Sequence, residues 1–278
     1  IFGVQNGSPS INMMKKKMTD NTPKWADIDA GKFIIGNDQP HNPEDGEAPC
    51  RTVWLDAYKL STTTITNAMF AAFVAETGFT TIAETQGFSH VFQGQLAAPE
   101  QFQKAATIAP WWRIVEGASW RYPYGDERCD DNLPAVHIAY SDALAYCAWA
   151  KCRLPSEAEW ERAAVQDEEV RPHIWRGVFP NQPETTPLPK PADDGPINAL
   201  GLHHMCGNVW EWTMDKFTTL HSPRLTKNPK GPLNGHNIVV KGGSFLCCPS
   251  YCARFKPYSR RAEIPTATTS HLGFRVAQ

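Results

Sequence analysis

The sequence predicts a single α+β domain with small sheets, few helices and much irregular loop. The 278-residue chain contains 23 prolines and 19 glycines, which favour frequent turns and few long helices. Its ten tryptophans are many for one chain, and we expect them to pack among loops rather than in regular layers. No linker is evident, so we expect one intertwined domain over residues 25–278 after a polar N-terminal extension over residues 1–24.

The N-terminal third predicts two strands and a capped helix. Residues 32–36 (KFIIG) and the alternating residues 53–60 are typical of strands. Residues 66–78 have apolar side chains on one helical face, with Thr66 as a plausible N-cap and Gly78 as a C-terminal cap.

The middle of the chain predicts a long irregular stretch and two further helices. Residues 87–134 lack regular periodicity and are expected to be loop. Residues 141–150 predict a helix that is capped by Ser141. Residues 156–164 predict another, because Ser156 stands three residues before a glutamate in the spacing of a capping box.

The C-terminal third predicts loops and short strands. Residues 172–200 are rich in proline, and residues 207–212 (GNVWEW) form a compact segment rich in tryptophan. Residues 237–241 predict a strand that ends in the turn Gly242-Gly243, and residues 273–276 predict the last strand.

Charge and hydropathy exclude two classes of partner. With 27 basic and 29 acidic residues the formal net charge is −2, so no broad basic face is available for nucleic acid or an anionic membrane. No window approaches the roughly 18 apolar residues that a membrane span needs. We expect a monomer that binds neither nucleic acid nor a membrane.

The start of the chain and its thiols favour a cytoplasmic location. The sequence begins with Ile1, and no signal peptide is visible. Working thiols have to stay reduced, which favours the cytoplasm. A periplasmic or secreted protein stays open if a leader was removed.

Three of the eight cysteines lie within six residues, at Cys247, Cys248 and Cys252. The thiols of Cys247 and Cys252 can converge across a short turn that Pro249 helps to set. Without further cysteine or histidine ligands at regular spacing, a tetrahedral zinc site is weakly indicated. Two thiolates suit Cu(I), but closely spaced cysteines are more often structural or redox pairs. The chemistry of the pair alone leaves a disulfide, buried thiols and a copper site open.

Motifs spread over nearly the whole chain carry a resemblance to a known family. The most specific is Gly-Gly-Ser-aromatic-x-Cys-x-x-Ser-Tyr-Cys-x-Arg, which residues 242–254 match. On these residues the chain resembles the formylglycine-generating enzymes, the sulfatase-modifying factors, from about residue 30 to residue 275. The resemblance implies a lectin-like α+β domain. The broader motifs are residues 64–68, 110–112, 117–125, 133–138, 153–161, 207–212 and 272–275.

The resemblance also implies an active site and a reaction. Cys247 and Cys252 would bind Cu(I) in a near-linear site, and Ser244, Trp210 and Tyr251 would surround it. The implied substrate is a cysteine in a Cys-x-Pro-x-Arg motif of an unfolded sulfatase or another peptide. With O2 as the oxidant, this cysteine would become Cα-formylglycine.

Substrate-binding residues follow from the same comparison. Arg254 and Arg260 match arginines near the family's peptide groove, and we assign His271 and Ser89 to the same role. The chain departs from the family at two positions in or near the implied site. Cys248 stands where the family usually has histidine, which adds a third soft ligand, and His271 stands where it usually has asparagine.

A calcium site of the family is matched only in part. Gly207, Val209 and Glu211 match it, but His204 occupies the position of an aspartate or asparagine. Histidine is a poor ligand for a hard cation that prefers oxygen. We therefore expect at least one calcium site to be lost or weak.

The function predicted first is a copper- and O2-dependent oxidase that forms formylglycine. One alternative is a paralogue on the same fold that oxidises another substrate, as in siderophore (pyoverdine) maturation, because fold alone does not fix function. A non-catalytic binding protein is the other. The paired cysteines argue against that last reading, since a binding protein has no need of them.

Overall fold

The structure, a computed structural model, describes residues 21–107, 109–165, 171–195, 197–222 and 224–278. The described residues confirm the predicted fold class, with short helices, small sheets and long loops. Most of the predicted extension, residues 1–20, lies outside them. The helices are α1 (Asn67–Thr77), α2 (Ile82–Gln86), α3 (Tyr140–Ala150) and α4 (Glu157–Ala164), with 3-10 turns at Pro43–Asp45, Gln93–Gln95 and Pro99–Gln101.

The strands are short and pair into several small sheets. Strand β1 pairs with β4, β5 with β6, and β7 with β8, while β3 lies between β2 and β10. The strands are β1 (Trp25–Ile28), β2 (Gly31–Ile35), β3 (Arg51–Leu55), β4 (Tyr58–Ser61), β5 (Phe88–Phe92), β6 (Trp112–Glu116), β7 (Gly177–Val178), β8 (Gln182–Pro183), β9 (Trp210–Lys216), β10 (Thr226–Lys227), β11 (Ile238–Lys241), β12 (Arg260–Glu263) and β13 (Leu272–Phe274).

A four-stranded sheet of order β12-β11-β9-β13 forms the centre of the fold. Strand β9 runs antiparallel to β11 and parallel to β13, with Trp210 opposite Leu272 and Trp212 opposite Phe274. The Trp212 indole N–H donates to the Ile138 carbonyl at 2.8 Å. This sheet fixes the start of β9, where Trp210 lies, relative to the cysteine segment that follows β11.

An aromatic cluster joins α1, α3 and the central sheet. Phe70 of α1 has its ring centroid 5.1 Å from that of Trp120 and 6.0 Å from that of Tyr146 on α3. Tyr146 in turn lies 5.3 Å from Phe274 of β13. These side chains are at most 2% exposed, and edge-on aromatic pairs stabilise by about 0.5–1.5 kcal/mol beyond their buried area. Trp120 packs between a loop and helices, as predicted for the tryptophans, but the prediction is wrong for most of them. Seven of the ten lie in strands or helices, namely Trp25, Trp54, Trp112, Trp149, Trp160, Trp210 and Trp212.

Three of the four predicted helix caps are confirmed, and one is wrong. The Thr66 hydroxyl accepts from the Met69 N–H at 3.3 Å, and Gly78 ends α1 in the left-handed conformation. Ser156 forms the predicted capping box of α4. Helix α3, however, begins one residue earlier than predicted. Its N-terminus is closed by the Asp142 carboxylate, which accepts from the Ala139 N–H at 2.9 Å, while Ser141 is exposed inside the first turn.

Two serine substitutions test this difference between the caps. Ser156→Ala removes the hydroxyl that accepts from the Glu159 N–H and should lower the free energy of unfolding by about 1 kcal/mol. Ser141→Ala removes no capping contact and should change it by less than about 0.5 kcal/mol. Urea denaturation of both variants measures the difference. Equal losses would contradict this assignment of the caps.

Three strand predictions need correction. Residues 53–60 are not one strand, because the chain turns at Asp56-Ala57 so that β3 pairs with β2 while β4 pairs with β1. Residues 87–134 are not all loop, since they contain β5 and β6, which pair across a connection too long for a hairpin signal. The last strand ends at Phe274 rather than at residue 276.

Helix length in the described ranges is modest. The longest helices, α1 and α3, have 11 residues each. No helix among the described residues has both the length and the apolar character that crossing a bilayer requires.

Candidate active site

A tight turn brings Cys247 and Cys252 together after β11. The Cys248 carbonyl accepts from the Cys252 N–H at 3.2 Å and from the Ala253 N–H at 2.9 Å. Ala253 is left-handed, with φ 50°. The Cys247 N–H donates to the Ser244 carbonyl at 2.9 Å, which ties the turn to the Gly-Gly-Ser segment. This backbone arrangement places the two thiols close enough for each to shift the pKa of the other.

The two thiols differ in environment. Cys247 is 3% exposed, and burial raises its pKa well above the ordinary value. Cys252 is partly exposed, and the hydrogen bond that it accepts from the Cys247 thiol lowers its pKa to about 6. The N–H groups of Cys248 and Arg254 and the charge of Arg254 act in the same direction. Cys252 is therefore the more readily ionised of the two thiols, and both are free of disulfide bonds.

This asymmetry predicts an unusual pH profile for alkylation. Because only the thiolate reacts, the rate of Cys252 with iodoacetamide should rise to a plateau with a midpoint near pH 6 and fall below it. Alkylation of the metal-free, reduced protein followed by peptide mass spectrometry measures this rate. In Cys247→Ala the midpoint should move up, because the donor is lost. A midpoint between about 8 and 9 in the unaltered protein would contradict the assignment.

Cys248 turns away from the pair. It is 2% exposed, its Sγ lies 3.5 Å from the Ser250 Oγ, and it packs in an apolar cluster with Phe92, Trp175 and Phe245. It does not line the cavity described below. The third soft ligand that the sequence adds to this segment is therefore not brought to the cavity.

An open cavity of about 500 Å³ lies beside Cys247 and Cys252. Of the residues assigned to the active site from the sequence, Ser244, Trp210 and Tyr251 line it as well. The lining residues are Asp45, Ala109, Trp111, Trp112, Phe179, Trp210, Ser244, Leu246, Cys247, Tyr251, Cys252, Arg254, Arg261, Ala262 and His271.

Ser244 and Trp210 form the inner part of this cavity. The Ser244 hydroxyl accepts from the Leu246 N–H at 3.2 Å, which stabilises the turn that leads to Cys247. Trp210 is 3% exposed at the start of β9, and its backbone N–H donates to the His271 carbonyl at 2.8 Å. Both residues thus make contacts that fix the backbone, and both line the cavity.

Three aromatic side chains form an outer rim. The Tyr251 ring stacks on Phe179 with centroids 4.4 Å apart and planes 13° apart, and it meets Trp111 edge-on at 5.6 Å. Tyr251 is 56% exposed. An exposed ring that is stacked in place offers an apolar, flat surface to a peptide entering the cavity.

His271 lines the cavity as a neutral side chain. It is 5% exposed, its Nδ1 lies 2.7 Å from the Thr269 hydroxyl, and its ring lies 4.8 Å from that of Trp112. Burial and the nearby Arg261 hold its pKa well below the ordinary value. At neutral pH it therefore offers a neutral polar group to a ligand in the cavity.

The charged side chains of the cavity are partly neutralised. The Arg254 guanidinium forms ion pairs with Asp45 and with Glu44, the latter at 3.0 Å. Arg261 on β12 is 43% exposed and pairs with Glu263 at 3.0 Å. A substrate group that binds Arg254 would have to compete with these carboxylates.

Two residues assigned to substrate binding, Arg260 and Ser89, are not brought to the cavity. Arg260 is 2% exposed and forms a bidentate ion pair with Glu157, at 2.6 and 2.9 Å. It lines a different cavity of about 470 Å³. Ser89 is fully buried and donates to the Thr268 carbonyl at 2.8 Å. Neighbouring residues of a strand point to opposite faces, so Arg261 lies where Arg260 was assigned.

The residues matched to calcium binding have other partners. Both carboxylate oxygens of Glu211 accept from Arg275, at 2.6 and 2.8 Å, and Oε2 also accepts from the Trp160 indole at 2.6 Å. This donor set does not fit calcium at Glu211. The backbones of Gly207 and His173 approach so closely that a Cβ on Gly207 would lie 2.4 Å from the His173 carbonyl oxygen. Val209 is buried.

Several cavity residues were not selected from the sequence. Trp111 and Trp112 belong to a motif of the resemblance, and the pairing of two large aromatic side chains was a usable signal. Phe179 and Asp45 lie in loops that are distant from the cysteines along the chain. No local pattern could have placed them here, since their position depends on tertiary packing.

Comparisons with known proteins identify the family of this chain. A family model described as the sulfatase-modifying factor enzyme 1-like domain matches residues 10–278. A formylglycine-generating enzyme of Mus musculus is 40% identical over 277 residues, which cover 91% of this chain and 74% of that protein. The chain belongs to the sulfatase-modifying factor family.

A relative that is named inactive and a solved structure of the same fold bear on how far family membership fixes the activity. An inactive Cα-formylglycine-generating enzyme 2 of Mus musculus is 32% identical, over 92% of this chain and 85% of that protein. The solved structure of PvdO from Pseudomonas aeruginosa shares the fold, with a TM-score of 0.67 over 93% of this chain and 95% of that chain, at 19% identity. Membership of the sulfatase-modifying factor family therefore leaves the activity to be argued from the site.

Proposed function

We propose that this protein oxidises a cysteine of a peptide substrate to Cα-formylglycine, with Cu(I) bound by Cys247 and Cys252 and with O2 as the oxidant. The proposed substrate is the Cys-x-Pro-x-Arg segment of an unfolded sulfatase or a similar peptide. The observation that carries the proposal is that Cys247 and Cys252 lie close together and line the same open cavity. The relative named formylglycine-generating enzyme, at 40% identity, supports the same reaction.

The donor set fits a soft monovalent cation. Thiolates prefer Cu(I), whereas a structural zinc ion requires four ligands. Among the residues that the structure describes, no group of three or more histidine, cysteine or acidic side chains is arranged around a metal. Cys247 and Cys252 would hold the ion at the wall of the cavity, where a substrate could reach it. When bound there, Cu(I) would supply redox chemistry with O2 and a site for the substrate sulfur.

The chain's own residues would prepare the pair and position the peptide. Cys252 loses its proton more readily than Cys247, which would lower the cost of forming the first thiolate when the metal binds. The aromatic rim of Trp111, Phe179 and Tyr251 would pack against the peptide. Trp210 would exclude water from one side of the sulfurs, because it is itself buried in the cavity wall.

The overall chemistry is an oxidation by two electrons. The carbon that carries the thiol loses one hydrogen and the sulfur loses its proton, so that a C=S bond forms, and the two electrons and two protons reduce O2 to hydrogen peroxide. Water then replaces sulfur at this carbon, so that the products are an aldehyde and hydrogen sulfide.

The direct test uses a synthetic Cys-x-Pro-x-Arg peptide. The reduced protein is loaded with one equivalent of Cu(I), exposed to air and incubated with the peptide, and mass spectrometry follows conversion of the thiol to the aldehyde. We expect conversion that requires both copper and air. A matched peptide with serine in place of cysteine should stay unchanged. Copper binding without turnover would favour a paralogue that acts on another substrate, and failure to bind copper would overturn the proposal.

A further inference from the structure

A second pair of cysteines lies at the C-terminal end of α3. Cys147 belongs to the last turn of the helix, and Cys152 follows it at the same spacing as Cys252 follows Cys247. Lys151 between them is left-handed, with φ 53°, and the Cys152 N–H donates to the Cys147 carbonyl at 3.0 Å. This is the Schellman motif, in which the side chains at these two positions characteristically touch.

The two thiols lie close together, and their environments differ. Cys147 is 3% exposed in the aromatic core, whereas Cys152 packs against the same core and is partly exposed. The two thiols are close enough to interact, and this interaction lowers the pKa of Cys152 and raises that of Cys147. The backbone after Cys152 is fixed, because Arg153 pairs with Ala277 through two hydrogen bonds of 2.7 and 3.0 Å.

We propose that Cys147 and Cys152 form a redox-active dithiol that closes to a disulfide by exchange with a small-molecule disulfide. The helix end that joins their backbones keeps the two residues close enough for the cross-link, which requires Cα atoms about 4.4–6.8 Å apart. Cys152 is the attacking thiol because it is the more exposed of the two. Cys147 is the resolving thiol because it lies close to Cys152 on the buried side.

The exchange proceeds in two balanced steps. The Cys152 thiolate attacks one sulfur of the small disulfide, the S–S bond breaks, and one small thiol leaves with the bonding electron pair. Cys147 then loses its proton and attacks the Cys152 sulfur, which releases the second small thiol. The protein pair loses two electrons and the small disulfide gains two, so that one disulfide becomes two thiols.

Other buried thiols lack this arrangement. Burial raises the pKa of Cys129 and of Cys206 to about 12, which makes both poor nucleophiles at neutral pH. Cys129 has an amide neighbour, with the Asn67 Nδ2 at 2.8 Å from its Sγ, rather than another thiol. The Cys147–Cys152 site is also separate from the cavity of Cys247 and Cys252, which neither residue lines. The redox chemistry proposed for Cys147 and Cys152 therefore does not depend on the proposed function.

Tryptic mapping after reaction with oxidised glutathione tests the proposal. The reduced, metal-free protein is incubated with oxidised glutathione without air, quenched in acid, alkylated and digested. Trypsin cleaves after Lys151 and Arg153, so a disulfide would leave the dipeptide Cys152-Arg153 attached to peptide 129–151. We expect this linked product in the unaltered protein and its loss after treatment with dithiothreitol.

Matched variants identify the sulfurs involved. Cys129→Ser should keep the link, and so should Cys252→Ser, whereas Cys147→Ala should leave Cys152 as a lasting mixed disulfide with glutathione. Cys152→Ser should leave Cys147 unmodified. If Cys152 of the unaltered protein is recovered as a free thiol or as a lasting mixed disulfide, the proposal is wrong. That result does not depend on whether the variants fold.

Discussion

Replacing Cys252 by serine is expected to lower the rate of formylglycine formation by more than about a hundredfold. Removing a residue that merely supports a metal ligand costs about 10- to 100-fold in affinity or activity, and a direct ligand should cost more. Serine keeps the size of the side chain but replaces a soft donor by a hard hydroxyl, which Cu(I) binds poorly. The assay is conversion of the Cys-x-Pro-x-Arg peptide with one equivalent of Cu(I) in air. Cys247→Ser should show a similar loss.

Cys248→Ser is the matched control for this loss. Cys248 adjoins Cys247 in sequence, but its side chain is buried in a separate apolar cluster outside the cavity. Its replacement should leave the rate within a few fold, provided that the variant stays folded. Equal losses in Cys248→Ser and Cys252→Ser, with both variants folded, would show that the turn rather than a specific sulfur pair is required.

The largest expected effect on stability comes from the buried ion pair of Arg275 and Glu211. Both side chains are at most 1% exposed, and the guanidinium also donates to the carbonyls of Ser61 and His203, at 3.2 and 2.9 Å. Arg275→Leu leaves the Glu211 carboxylate buried with the Trp160 indole as its remaining partner. We expect the free energy of unfolding to fall by about 3–5 kcal/mol, as measured by urea denaturation.

An exposed ion pair provides the comparison. Lys59 and Asp27 lie 3.5 Å apart with side chains 49% and 79% exposed, so Lys59→Met should cost less than about 1 kcal/mol. The double variant Arg275→Leu/Glu211→Leu should lose less than Arg275→Leu alone, because it removes the unpaired buried charge. A loss for Arg275→Leu as small as that for Lys59→Met would contradict the assigned role of the pair.

The parts of the fold that could be predicted are those with local signals. Helices α1 and α4 were predicted because Thr66, Gly78 and Ser156 carry capping chemistry within a few residues of each helix. Strands β5 and β6 were missed because their register is set by pairing between segments far apart in sequence. The break at Asp56-Ala57 was missed because residues 53–60 alternate as the residues of a single strand would.

Some features of the candidate site could also be predicted from local sequence, and others could not. The convergence of Cys247 and Cys252 follows from their spacing across a short turn, and the structure brings their thiols close together. The side of β12 that faces the cavity does not follow from the sequence, so Arg260 was chosen where Arg261 lines the wall. The contribution of Phe179 depends on a loop that packs on Tyr251, which no local pattern records.

Titration of the reduced protein with Cu(I) tests the central claim most directly. Competition with a chromophoric Cu(I) chelator measures both the number of ions and their affinity. The account predicts one tightly bound ion per chain, which Cys247→Ser and Cys252→Ser each lose and which Cys248→Ser and Cys152→Ser each retain. Tight binding that survives Cys252→Ser, or no tight binding in the unaltered protein, would contradict it.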